Sequence, residues 1–326
     1  VSLVNDLLRD SIVWDNHTCL PLRPNDDRFL PELARVRDSG VTVVSLNVGF
    51  DVEPIELHVR MLARFREWVR QRPDDYLLVE RIEDVHRAKA TSRLGIVFDI
   101  EGAKAVDDQL SLISFYYDLG VRWMLIAYNR TNRAGGGCLD PVDGGLTEFG
   151  ARVVDEMARV GMVTCCSHTG ERTSLDIIEH AKNPVIFSHS NPRALWDHPR
   201  NIRDHVIRAC AAKGGVICIN GVGAFLGRND TRSETVARNI DYVAKLVGIE
   251  HVALGLDYVF DNEEVLAYLK AHPETFGRDA GSPEMRFVAP EQIGEITECL
   301  ETIGYAPSDI GQVLGRNLLR IAGIWK

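Results

Sequence analysis

The sequence predicts a (β/α)8 barrel of the TIM type, and three features point to it. Eight short apolar runs are spread over the 326 residues, at 11–15, 41–47, 94–100, 122–128, 162–167, 184–188, 215–220 and 251–257. Segments of helical periodicity alternate with them, which is the pattern of a parallel sheet wrapped by helices. No G-x-G-x-x-G motif follows a strand, and the segment from Gly221 to Gly227 (GVGAFLG) lacks its spacing, which argues against an open dinucleotide-binding sheet. The length suits one barrel domain over residues 1–326, with extra helices at its C-terminal end.

Each element has its own local cause. Residues 6–11 lead into the first apolar run, and the proline- and charge-rich stretch 21–31 reads as a loop. A short helix over 32–38 stops at Gly40, and the β-branched run 41–48 reads as a buried strand. Over 53–72, Leu57, Met61, Leu62, Phe65, Trp68 and Val69 recur at three- and four-residue steps, which predicts an amphipathic helix ended by Pro73. Residues 82–89 form a further short helical segment, 94–100 a strand, and 106–119 a helix stopped by Gly120. After the strand at 121–128 comes a long glycine-rich loop, 129–145, of the kind that shapes a pocket. Thr147 is a good N-cap for a helix over 148–160, which Gly161 closes. Helices over 174–181, 201–212 and 233–247 alternate with the last strands, and those over 290–303 and 308–321 are expected outside the barrel.

Composition excludes several roles. Hydrophobic residues make up 45% and charged ones 26%, so a sizeable core and an ordinary water-facing surface are both available. The formal charge of −10, with no Lys/Arg run against it, makes nucleic acid an unsuitable partner. No stretch of eighteen apolar residues and no secretory leader is legible, so a membrane partner is not expected. Seven widely spaced cysteines form no disulfide framework, and the expected location is cytoplasmic.

The chemistry lies at the strand ends. His17 and Cys19 follow the first run, Glu101 the third, His168 the fifth and His189 the sixth. In a barrel, residues just past the strands converge on one mouth, whatever their separation in sequence. His168 and His189 share a pattern, each following a strand-terminal serine (Ser167, Ser188), and Glu101 ends a hydrophobic run where a lone carboxylate is costly. Imidazoles with a carboxylate suit Zn2+, and two ions roughly 3.5–4 Å apart can share one carboxylate. Asp257 ends the eighth run at the same mouth and is placed to pass a proton to a leaving amine. A metal-dependent hydrolase follows as the expectation. A one-metal amidohydrolase acting on an N-acyl amino acid or cyclic amide, and a non-catalytic binding barrel, stand as alternatives.

At these residues the chain resembles the membrane (renal) dipeptidase family of zinc peptidases. The likeness runs from Asp15 to about Ile321. It is carried by Asp15-Asn16-His17, Ile100-Glu101-Gly102, Asp143-Gly144-Gly145-Leu146-Thr147-Glu148-Phe149-Gly150, Ser167-His168, Phe187-Ser188-His189-Ser190, Arg200-Asn201-Ile202, Gly255-Leu256-Asp257 and Leu314-Gly315-Arg316-Asn317-Leu318-Leu319-Arg320. The resemblance implies an amidohydrolase-like barrel that cleaves small dipeptides, often with a D-residue on the C-terminal side, as a homodimer. It implies two zinc ions bridged by Glu101, one held by His17 and the other by His168 and His189, with Asp257 as proton shuttle and Arg200 on the substrate carboxylate. Two positions depart from the family pattern. His-x-Asp on the first strand is here His17-Thr18-Cys19, which offers the first ion a softer thiolate. A substrate-facing histidine is here Tyr128, whose hydroxyl could meet the carbonyl oxygen instead.

Overall fold

The computed structural model describes residues 3–277 and 285–326. Its strands are β1 (Trp14–Cys19), β2 (Val43–Phe50), β3 (Tyr76–Leu78), β4 (Leu94–Glu101), β5 (Val121–Leu125), β6 (Val163–Cys165), β7 (Ile186–Phe187), β8 (Val216–Ile219), β9 (Val252–Leu254) and β10 (Tyr258–Val259). They run parallel in the order β1-β2-β4-β5-β6-β7-β8-β9, and β9 returns to β1 through the pair Asp15 and Leu254. That closure gives the expected eight-stranded barrel. β10 continues the line of β9 beyond a break at 255–257 and rejoins β1, with Thr18 opposite Tyr258 and Cys19 opposite Val259. β3, which the sequence pattern did not predict, borrows the edge of β4 over Leu94–Ile96 before β5 takes that edge over from Phe98.

Strand alternation divides the core in two. Val44, Leu46, Ile96, Phe98, Ile217 and Leu254 face the surrounding helices. Trp14, Val43, Val97, Trp123, Val163, Ile186 and Val216 pack together with one another inside the barrel. Moving up β2 and β4 in steps of two residues, this inner face turns polar. Val43 is followed by Ser45 and Asn47, and Val97 by Asp99 and Glu101, all buried. The apolar lower half is the floor, worth about 1.5–3 kcal/mol for each large side chain removed from water. The polar upper half is the mouth.

Two differences from the sequence expectation matter for the site. The first strand extends through Cys19 rather than ending at Asp15, so His17 and Cys19 lie in the strand and not beyond it. It also carries one extra residue. Asp15 pairs with Val44 and Thr18 with Leu46, three steps against two, so Asn16 and His17 form a bulge. The last helices differ too. Ile293–Thr302 packs outside the barrel, as expected. Leu318, Ile321 and Ala322 of the final helix instead join the inner cluster beneath Trp14 and close the barrel floor, with Trp325 against Trp14 at 5.8 Å. The helix expected over 106–119 is divided as well. Asp107 takes a φ of 50°, and the α-helix begins only at Ser111. Past β10, helices Asn262–Ala271 and Pro273–Phe276 bury no residue fully and line the rim of the mouth; neither was legible as an apolar stripe.

Candidate metal centre

The strand ends and the turns after them aim three imidazoles at one carboxylate oxygen. Glu101 is the last residue of β4 and is 4% exposed. Its Oε1 lies 3.2 Å from His189 Nε2, 3.3 Å from His168 Nε2 and 3.6 Å from His17 Nε2. The same oxygen is buried and accepts no hydrogen bond. A second group shares His17. Cys19 Sγ is 3.5 Å from His17 Nε2 and 3.6 Å from Asp257 Oδ1, and that oxygen is 3.5 Å from the same imidazole nitrogen.

Each imidazole is held by its other ring nitrogen. Asp99 Oδ2 stands 3.3 Å from His17 Nδ1, Asn129 Oδ1 is 2.7 Å from His168 Nδ1, and Ser188 Oγ is 2.8 Å from His189 Nδ1. With Nδ1–H donating outward to Asp99 and Asn129, Nε2 of His17 and of His168 faces the Glu101 oxygen. Asn47 Nδ2 ties the two carboxylates together, donating to Asp99 Oδ1 at 3.1 Å and to Glu101 Oε2 at 3.2 Å. Ser45 Oγ donates to Asp99 at 2.7 Å, and Asn220 Nδ2 donates to Asp257 Oδ2 at 2.9 Å.

The backbone is bent to achieve this. His168, Asp257 and Asn129 all have left-handed φ, at 61°, 56° and 59°. Non-glycine residues held there cost of order 1–3 kcal/mol each and concentrate at functional sites. Gly102 (φ 134°) follows Glu101, and a Cβ there would stand 1.9 Å from the Asp51 carboxylate. In the loop expected to shape the pocket, a Cβ on Gly137 would meet the Asn129 backbone at 2.1 Å, so only glycine lets the loop press against the residue that holds His168.

Electrostatics match a cation site. Burial holds His168 and His189 well below the usual imidazole range, so both are neutral ligands. Burial lowers His17 as well, but Asp99, Glu101 and Cys19 outweigh it and leave this imidazole well above its ordinary value. Burial pushes the Glu101 carboxyl up to about 8, opposed by His17 and reinforced by Asp257 and Asp99. The Cys19 thiol is pushed up to about 12 by burial, against the pull of His17. Such groups are stable in their ligand forms only beside positive charge, and the donor set of nitrogen, sulfur and carboxylate oxygen fits divalent zinc. Among the described residues, two overlapping groups can hold metal: His17, Glu101 and His189, and His17, Cys19 and Asp257.

The model for membrane dipeptidases of peptidase family M19 matches residues 3–269. The chain belongs to that family. An uncharacterised protein from the pqqA 5′ region of Klebsiella pneumoniae is 30% identical over 286 residues, covering 84% of this chain and 98% of that one. An uncharacterised dipeptidase of Schizosaccharomyces pombe is 31% identical over 215 residues, 64% of this chain and 50% of its own length. The crystal structure of an amidohydrolase from Pseudomonas aeruginosa superposes with a TM-score of 0.90 at 27% identity, covering 99% of each chain. This membrane dipeptidase family member is therefore a metal-dependent enzyme whose barrel mouth carries two clustered groups of metal ligands, consistent with a two-ion centre.

The other expected residues line the same cavity of about 660 Å3. Arg200, in the turn after β7, is 4% exposed, and its Nε and Nη2 have no hydrogen-bond partner. Tyr128 lies beyond the end of β5, with its ring stacked on His168 at 4.1 Å and 22°. Asp99, Asn47, Ser45, Asn129 and Asn220 were missed. Inward alternation from Val43 and Val97 is the signal that would have found the first three.

Proposed function

We propose that this enzyme hydrolyses the amide bond of small dipeptides, with Glu101 shared between two cations, His17 and Cys19 on one and His168 and His189 on the other. The orphaned, buried Glu101 Oε1 amid three imidazole nitrogens carries the reading. A divalent cation bound there polarises the scissile carbonyl and brings the pKa of water to roughly 7. The remaining roles belong to side chains. Arg200, its Nε and Nη2 unpartnered in a buried wall of the cavity, binds the free carboxylate of the substrate. Asp257, fixed through Oδ2 by Asn220, keeps Oδ1 toward the centre and carries the proton to the departing amine. Tyr128 covers the face of His168 and fixes its plane.

Elemental analysis with anomalous scattering at the zinc edge tests the centre, and a panel of free dipeptides that includes L,D pairs tests the reaction. Two ions, one with sulfur in its coordination sphere, and turnover of the panel are expected. A single ion remote from Cys19 would return the one-metal alternative. The same reading includes one domain over residues 1–326, a homodimer, checked by light scattering, and a cytoplasmic location, which the seven free cysteines support.

A further inference from the structure

On one side of the mouth the cavity wall is aromatic. Phe50 is at its centre, with ring centroids 5.2 Å from Tyr128, 5.3 Å from Tyr268 and 6.4 Å from Phe276. Tyr128 and Phe276 meet edge to face at 5.8 Å, and Tyr268 and Phe276 at 6.1 Å. All four rings line the cavity and all are only half-buried, so each keeps surface toward it. The rings pack against one another without a gap, which makes a wall and not a cage. It is continuous with the centre, because Tyr128 stacks on His168.

The cavity also holds charge of both signs. Phe50 ends β2, whereas Arg200 lies in the long loop after β7, the strand opposite β2 in the closed order, and its side chain reaches over the mouth to Cys138, which is itself hydrogen-bonded to Asn129. Three residues past Phe50, Glu53 lines the same cavity and accepts a hydrogen bond from Tyr268 Oη at 2.7 Å. Among the described residues Glu53 has no ion-pair partner, whereas the neighbouring Asp261 and Glu264 are both engaged by Arg23. The cavity thus offers a substrate two free charges of opposite sign, Arg200 for a carboxylate and Glu53, beside the rings, for an ammonium.

We infer that this wall receives the side chain of the N-terminal residue and makes the enzyme selective for dipeptides that begin with a large apolar, above all aromatic, residue. The inference rests on the dipeptidase reading above. Stacked and edge-to-face contacts on Phe50, Tyr268 and Phe276 supply the preference, and Glu53 selects a free amine over an acylated one.

The test is a matched set, Phe-Ala, Ala-Phe and Ala-Ala, with the zinc-loaded enzyme. The kcat/KM for Phe-Ala should exceed that for Ala-Ala by about 30-fold, while Ala-Phe stays within about threefold of Ala-Ala. Phe276→Ala should bring the Phe-Ala advantage below about fivefold, and Phe276→Leu should retain most of it. Glu53→Gln should raise KM for Phe-Ala about tenfold, and N-acetyl-Phe-Ala should be the poorer substrate of wild type. A flat profile, a preference for Ala-Phe, or an unchanged ratio in Phe276→Ala would overturn the wall assignment while leaving the dipeptidase reading intact. The wild-type panel decides this even if the variants fail to fold. No turnover of any dipeptide would overturn both.

Discussion

The Nε2 atoms of His168 and His189 stand 2.9 Å apart, and each ring is anchored through Nδ1 to an oxygen of its surroundings. Two neutral imidazoles brought this close, beside a carboxylate oxygen that nothing else satisfies, are arranged for a shared positive charge.

Glu101 is the member common to that pair and to His17. Glu101→Gln keeps the shape but removes the bridging charge. Metal content measured by plasma emission should fall below one ion per chain, and kcat should drop by roughly 10²–10⁴. Full activity with unchanged metal would refute the assignment.

Cys19 should mark its own ion spectroscopically. In the cobalt-loaded enzyme a thiolate ligand gives a near-ultraviolet sulfur-to-metal band. Cys19→Ser should abolish it and weaken one ion selectively. A wild-type spectrum without the band would remove Cys19 from the ligand set.

Loading the metal should release protons with a defined pH dependence. His168 and His189 are already neutral and release none, whereas Cys19, held up to about 12, and His17, held well above its ordinary value, give up theirs on either side of neutrality. Glu101 is held up to about 8, so below that value it gives up its proton when it becomes a ligand, and above it there is none left to give. Proton release per chain, followed with an indicator dye during zinc addition, should therefore fall as pH rises through about 8, and Glu101→Gln should flatten the step.

Arg200 should act on binding. Its truncation to Ala leaves the centre in place but removes the buried fork, so kcat/KM for free dipeptides should fall about 100-fold, mostly through KM. Arg200→Lys should recover only part, since an ammonium cannot reproduce the bidentate geometry.

The barrel floor should separate stability from activity. Leu318→Ala opens space beneath Trp14 and should cost about 2–5 kcal/mol in urea unfolding, with kcat unchanged in the folded fraction.

Much of the centre was legible because strand ends in a barrel converge. Glu101, His168, His189 and Asp257 could be placed from where apolar runs stop. The bulge at Asn16 and His17 was not legible. An apolar pattern reports which face a residue takes only while the register is regular, and one extra residue lets two neighbours point inward together. Asp99 was hidden inside the run Ile96–Ile100, where its burial is tolerated through Ser45, Asn47 and His17, partners brought from two other strands. The rim helix Asn262–Ala271 has no fully buried face, so it left no stripe to read.

One consequence follows from how the barrel closes. Its seam between first and last strands has one ladder pair, Asp15 with Leu254, is then tied by the Leu256 N–H on Asp15 Oδ1 at 2.8 Å and the Asp257 N–H on the His17 carbonyl at 2.9 Å, and resumes as a ladder at Tyr258. His17 and Cys19 lie on one side of that thinly bonded seam and Asp257 on the other. A cation gripped from both sides of the seam is a rivet, and amide exchange over residues 14–19 and 252–259 should slow on loading far more than exchange over the β4–β5 joint.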